Sequence, residues 1–178
     1  MRGKWILLVV LIAAVLVVDQ VTKHRVLDSL LLGQSVRPVP ALYPYFQLTY
    51  SQNTGSAFGF LPQAGDVFLV IAIVVVLAMF FFYPRVPVNA RATQVGIALI
   101  CGGALGNAAD RIQHGFVVDF IHYQIPGLIS NVSNLADHAI VLGVVLVIVD
   151  GWRSDREARQ SDSRTDVQIE NEEDTPHA

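Results

Sequence analysis

Four long apolar runs constrain this chain more than any other feature. Trp5 to Val18 contains no charged or polar residue, and Val67 to Tyr83 is a second such run that stops at Pro84. Two further stretches, about Thr93 to Ala109 and about Leu135 to Trp152, are apolar with polar residues confined to their ends. A helix rising about 1.5 Å per residue needs about 20 residues to cross a hydrocarbon core of about 30 Å, so each run reads as a membrane span. With 53% hydrophobic and 15% charged residues the chain has more apolar side chain than a soluble domain of this size can bury. Arg2 and Lys4 before the first run also fit a signal peptide, but no small-x-small cleavage site follows, and a retained span is expected.

Four spans put both termini on one side. Arg2, Lys4, Arg85, Arg91, Arg153, Arg156, Arg159 and Arg164 fall on that face, against Lys23, Arg25, Arg37 and Arg111 on the other. The positive-inside rule therefore predicts cytoplasmic termini, with outer loops at about 24–65 and 111–134. The fold class expected is an all-α membrane protein, its four helices joined by a small extracytoplasmic β element and an extracytoplasmic loop. The β element is placed in the first outer loop, where Tyr45 to Tyr50 follows Arg37-Pro38-Val39-Pro40. Residues 1–152 are expected to form the membrane domain, and 153–178 a polar cytoplasmic tail, disordered or loosely helical. The net charge of −3 points away from a nucleic-acid partner, although the tail from Asp155 onward holds much of the acid. Cys101, the single cysteine, excludes an intramolecular disulfide and reads as a small buried helix residue.

The informative residues are the polar ones next to the spans. Asp119, after Val117-Val118, and Asp137, at the start of the fourth run, are carboxylates at a bilayer edge. Charge there is expensive and is usually retained for function. If the loop between them folds back, the two carboxyls cannot both ionise cheaply. One would hold a proton while the other takes one from water, an aspartic-peptidase arrangement whose pKa values belong to the pair. Asp19 and Lys23 stand at i,i+4, a spacing that suits a structural ion pair or a Lys23 that orients substrate. Asn53-Thr54-Gly55-Ser56-Ala57-Phe58 suits a tight turn or a peptide-binding edge. Gly102 and Gly106 put small residues on one face of the third helix for close packing. Arg111 is placed to hold a carboxylate or carbonyl by a forked hydrogen bond, with Asp110 beside it as a scaffold residue or an alternative acid. His114, His122 and His138 lie near the acids, but the chain lacks His-Glu-x-x-His and no metal is expected. Ser56, Ser130 and Ser133 have no nucleophile setting. A transporter with a buried ion path and a scaffold that binds a partner through its outer loops are the rival classes.

Read in order, Asp19-x-x-x-Lys23, Asn53-Thr54-Gly55-x-Ala57-Phe58, Gly102-Gly103-Ala104-x-Gly106-Asn107-x-x-Asp110-Arg111, Val117-Val118-Asp119-Phe120 and Asn134-x-Ala136-Asp137 resemble the bacterial lipoprotein signal peptidases, membrane aspartic peptidases also called signal peptidase II. The resemblance spans about residues 4–152. It implies four transmembrane helices in the bacterial cytoplasmic membrane and Asp119 with Asp137 as the catalytic dyad. It further implies that Asn53, Gly55, Asn107, Arg111, Asn134 and Ala136 line or support the substrate site, and that Asp19 and Lys23 fix the outer-loop platform. The substrate implied is a diacylglyceryl-modified prolipoprotein cut just before its lipidated cysteine, met in membrane lipid. No cofactor is implied, because the dyad activates water. Ser133, where many relatives have Phe, and His138 depart from the family pattern and bear on the pocket wall.

Overall fold

The computed structural model describes residues 2–55 and 64–173. In chain order they form α1 (Arg2–Ser29), β1 (Ser35–Val36), a 3-10 turn (Pro40–Leu42), β2 (Phe46–Asn53) and α2 (Ala64–Phe82). A second 3-10 turn (Tyr83–Arg85), α3 (Arg91–His114), β3 (Val117–Ile125), β4 (Ile129–Ser133) and α4 (Leu135–Glu173) complete them. Four helices are long and apolar enough to cross a membrane. The helices alternate in direction, so one end of the bundle carries the strands and the other carries the α2–α3 connection.

α3 is the central helix: 67% of its most apolar window is buried, against 11–17% for the other three. Its small residues explain why. A methyl group added at Gly102 would lie 2.7 Å from the Val15 side chain of α1, and one at Gly103 would run into the Ala136 carbonyl of α4. Apolar surface gains nothing from leaving lipid for protein, so close backbone approach and dispersion hold such helices together. The expected face of Gly102 and Gly106 is thus present against α1, and Gly103 beside it allows the close approach of α4.

At the end away from the strands, caps come from side chains of other helices. The Lys4 ammonium donates to the carbonyls of Pro84 and Val86, both at 3.0 Å, and to that of Tyr83 at 3.4 Å. The Tyr83 hydroxyl returns a bond to the Lys4 carbonyl at 2.7 Å. Lys4 is therefore a buried cap for orphan carbonyls, not the surface cation that charge counting takes it for. Asp150 of α4 does the converse at the start of α3, accepting from the Thr93 amide at 3.1 Å and its hydroxyl at 2.5 Å.

Three helix boundaries differ from those expected. α1 runs through Asp19 and Lys23 to Ser29, α3 reaches His114, and α4 continues helically through polar residues to Glu173. The larger correction is at 111–134, expected as a loop. Beyond His114 it is an antiparallel hairpin, β3 with β4, which joins β1 and β2 in a four-stranded sheet ordered β1-β2-β3-β4. Val117 to Ile121 is buried at every position, so this strand lacks the alternation by which half-buried strands are recognised.

β2 and β3 are out of simple register. Leu48 pairs with Ile121 and Ser51 with Asp119, so β2 takes three steps where β3 takes two. Directly opposed residues share a face and faces alternate with period two. The extra residue moves Asn53 onto the Asp119 face; an unbroken register would have put Gln52 there.

Candidate active site

Two carboxylate clusters sit where the sheet meets the helix ends. The first is held by Lys23, only 1% exposed, whose ammonium lies 2.8 Å from Asp19 Oδ2 and 2.9 Å from Asp110 Oδ2. Gln20 Nε2 donates to Asp110 Oδ1 at 2.8 Å, to Asp19 Oδ2 at 3.3 Å and to the Gly106 carbonyl at 3.2 Å. Backbone amides satisfy the rest: Ala136 N–H donates to Asp19 Oδ1 and Val118 N–H to Asp110 Oδ2, each at 3.0 Å. A buried charge pair is tolerated only when its remaining lone pairs are met in this way. α1, α3, β3 and α4 are thereby tied at one point. Gly106 is required there, since a Cβ would lie 2.5 Å from Asp19 Oδ2.

Both oxygens of Asp119, in the second cluster, accept from amides: Oδ2 from Asn53 Nδ2 at 2.9 Å and Oδ1 from Asn134 Nδ2 at 2.6 Å. Asp137 Oδ1 accepts from Asn107 Nδ2 at 2.7 Å. Asn134 is the N-cap of α4, its Oδ1 accepting from the Asp137 N–H at 2.9 Å. One asparagine side chain thus touches Asp119 through its nitrogen and the Asp137 backbone through its oxygen. Asn107 links the clusters, with its Oδ1 accepting from Lys23 at 2.9 Å. At the other edge, Gly55, with φ of +77°, donates its N–H to Asn53 Oδ1 at 2.9 Å and so fixes which end of that amide faces Asp119.

Asp119 is 3% exposed. Burial, partly offset by the Asn53 bond and reinforced by the Asp137 charge, pushes its carboxyl up to about 6. Neutral amides can orient an ionised carboxylate without supplying the charge that would hold it ionised.

The residues singled out in the sequence converge. Asp19, Lys23, Asn53, Gly55, Asn107, Asn134, Ala136, Asp119 and Asp137 all lie in these two linked networks. Lys23 is enclosed by Asp19, Asp110 and Asn107, which leaves it no face for substrate and favours the structural ion pair. The forked bond expected of Arg111 is not made among the described residues. Its Nη1 donates to the Asn107 carbonyl at 3.2 Å, and its guanidinium lies over the Phe68 ring at 5.5 Å. Asp110 takes the scaffold role. His122 is bonded within the sheet to Gln47, Thr49 and Ser130, and His114 stacks beside Phe116. Ser56, Ala57 and Phe58 lie outside the described residues. Gln20, which bridges Asp19 and Asp110, escaped the sequence reading because a glutamine beside a charged pair carries no motif of its own.

A four-span membrane protein with two carboxyls held by asparagine amides at the junction of sheet and helices has the architecture of a membrane aspartic peptidase. Residues 11–153 match the family model for signal peptidase (SPase) II. The chain is 40% identical over 140 residues to a lipoprotein signal peptidase of Pelotomaculum thermopropionicum, covering 79% of this chain and 88% of that one. It is 40% identical over 157 residues to that of Photorhabdus laumondii, covering 85% and 89%. Among solved structures, one described as a bacterial membrane enzyme determined by the in meso method at 2.3 Å is similar with a TM-score of 0.71 and 31% identity, over 83% of this chain and 88% of that chain. A second of the same description, at 1.9 Å, has a TM-score of 0.70 and 32% identity, over 80% and 90%. The chain belongs to the signal peptidase II family of bacterial integral membrane peptidases.

Proposed function

We propose that this peptidase removes signal peptides from diacylglyceryl-modified prolipoproteins, cutting just before the lipidated cysteine, with Asp119 and Asp137 acting together on water. The observation that carries the reading is the double engagement of Asn134, which holds the Asp119 carboxyl and the Asp137 backbone in one arrangement. Asp119, the more buried, carries the shared proton; Asp137, partly open to the groove beside it, is the base. Water loses a proton to Asp137 as its oxygen attacks the scissile carbonyl, while Asp119 donates its proton to the carbonyl oxygen. Collapse of the tetrahedral intermediate then releases the amine of the cysteine, which takes the proton from Asp137, while a hydroxyl of the gem-diol returns its proton to Asp119. Asn53 and Asn107 orient the acids, and Asp19 with Lys23 hold the platform. The distribution of positive charge supports cytoplasmic termini and a site at the outer face, with residues 153–178 forming a cytoplasmic tail outside the catalytic domain.

An ion path would need polar residues through the depth of the bundle. Between Lys4 and Asp19, however, the buried residues of α1 are Leu8 and Ile12. The test is cleavage of a lipidated precursor peptide by purified wild type, Asp119→Asn and Asp137→Asn, with insertion and thermal unfolding measured alongside. Folded variants that have lost turnover are expected. Wild-type turnover in either variant would sink the dyad.

A further inference from the structure

We propose that the diacylglyceryl group of the substrate lies in the groove between α4 and the β3–β4 hairpin, its ester carbonyls accepting hydrogen bonds from the Tyr123 and Ser133 hydroxyls. This rests on the reaction proposed above and assigns the lipid part of its substrate to a place.

The groove, about 580 Å³, is continuous with the candidate site, because Asn53 and Asp137 line it together with Ser133 and His138. Its floor follows from strand register. Ile121 opposes Ser133 and Tyr123 opposes Asn131. With period-two alternation, Asp119, Tyr123 and Ser133 therefore stand on one face of the sheet. Its wall follows from helical period. His138, Val141, Leu142 and Val145 are spaced 0, 3, 4 and 7 and form one stripe of α4, running about 10 Å from the polar end into the apolar span. A ligand seated there has a polar end beside the acids and an apolar end directed along the bilayer depth.

The chemistry of the rim selects the ligand. His138 Nδ1 lies 2.6 Å from the Asn134 carbonyl, which can only accept, so the proton is on Nδ1 and, in the neutral ring, Nε2 is an acceptor. Tyr123 is then the donor in its contact with Nε2, at 3.4 Å, and Ser133 donates to the Ile121 carbonyl at 3.5 Å. Both are far longer than the usual 2.7–2.8 Å of a hydroxyl bond, so each hydroxyl is readily redirected to a better acceptor. Ester carbonyls are acceptors without donors, and a diacylglyceryl thioether carries two of them close to the scissile bond. The apolar stripe offers acyl chains little that surrounding lipid does not, so the hydroxyls at the rim decide where the lipid part sits.

The experiment pairs two precursor peptides, one bearing ester-linked and one ether-linked diacylglycerol, with wild type and the double variant Tyr123→Phe, Ser133→Ala. Wild type is expected to favour the ester by about 3- to 10-fold in kcat/KM, mostly through KM, and the double variant to treat the two within about 2-fold. A Val141→Trp variant, which fills the groove without touching the rim, should raise KM several-fold for both precursors, whatever the apolar segment of the signal peptide. Equal handling of ester and ether by wild type would overturn the assignment. So would a preference that survives in the double variant. A Val141→Trp effect that varies with the apolar segment would place the signal peptide in the groove instead. Failure of the proposed reaction looks different: wild type would leave the ester-linked precursor uncut, or Asp119→Asn would cut it.

Discussion

The two carboxylate clusters lie at the same end of the bundle and share Asn107, yet they are compensated in opposite ways. Asp19 and Asp110 receive an ammonium, backbone amides and the Gln20 side chain, so their charge is met on every side. Among the described residues, Asp119 and Asp137 receive side-chain hydrogen bonds only from asparagines. A carboxylate bonded by a cation and backbone amides on every side is fixed in place and serves as a joint. One that is oriented by neutral amides, with the nearest cations acting only at a distance, can change protonation state, which acid–base catalysis requires. Hydrogen-bond geometry alone makes both clusters look equally ordered, and the identity of the donors separates joint from reactive group.

The sharpest way to break this comparison is to neutralise one acid of each kind. Asp119→Asn and Asp137→Asn should each lower kcat/KM for a lipidated precursor by about 10³-fold or more while the protein still folds. Removing the cation instead, as in Lys23→Met, leaves two buried carboxylates uncompensated and should cost about 3–5 kcal/mol in stability, read as early thermal unfolding in detergent. An Asp119→Asn protein that unfolded as early as Lys23→Met would erase the distinction. Asn134→Ala removes the cap of α4 and an Asp119 donor together. Activity should fall about 10- to 100-fold, and stability by about 1 kcal/mol.

The pH dependence sharpens the contrast. With the Asp119 carboxyl at about 6 in the folded protein against an ordinary 3.8, its ionisation is disfavoured by folding. The stability it contributes is complete below about 3.8 and lost as pH rises through about 6. Asp119→Asn should lack that decline. For catalysis, kcat/KM should fall on the alkaline side as free enzyme loses the shared proton near pH 6. Asn53→Ala, the smallest change, removes a donor that favours the ionised acid. It should move this limb upward by a fraction of a pH unit, and a downward move would show that Asn53 does not act on Asp119.

Much of this was legible in the chain. The four spans follow from apolar runs too long to bury otherwise, and Gly102 with Gly106 announces the packing face of α3. The converging polar residues were legible as well, because each stands where burial is costly. The β3–β4 hairpin was not. Its first residues are buried on both sides and read as an apolar run interrupted by Asp119, although Pro126-Gly127 is a turn signal at the right place. The Asn134 cap was readable from Asn134-x-x-Asp137 at the start of an apolar run. The bond from Asn53 to Asp119 was beyond any periodicity argument, since it depends on one irregular step in β2.

That step makes the site sensitive to counting. Deleting one residue of β2 at Thr49 or Tyr50 would restore regular pairing with Ser51 still opposite Asp119 and Asn53 still opposite Val117, whereas deleting Gln52 would bring Asn53 opposite Val118, on the other face of the sheet. The place of a length change in this strand therefore matters more than its size: one residue removed beyond Ser51 should disarm Asp119 while the fold survives, and one removed within the irregular step should not.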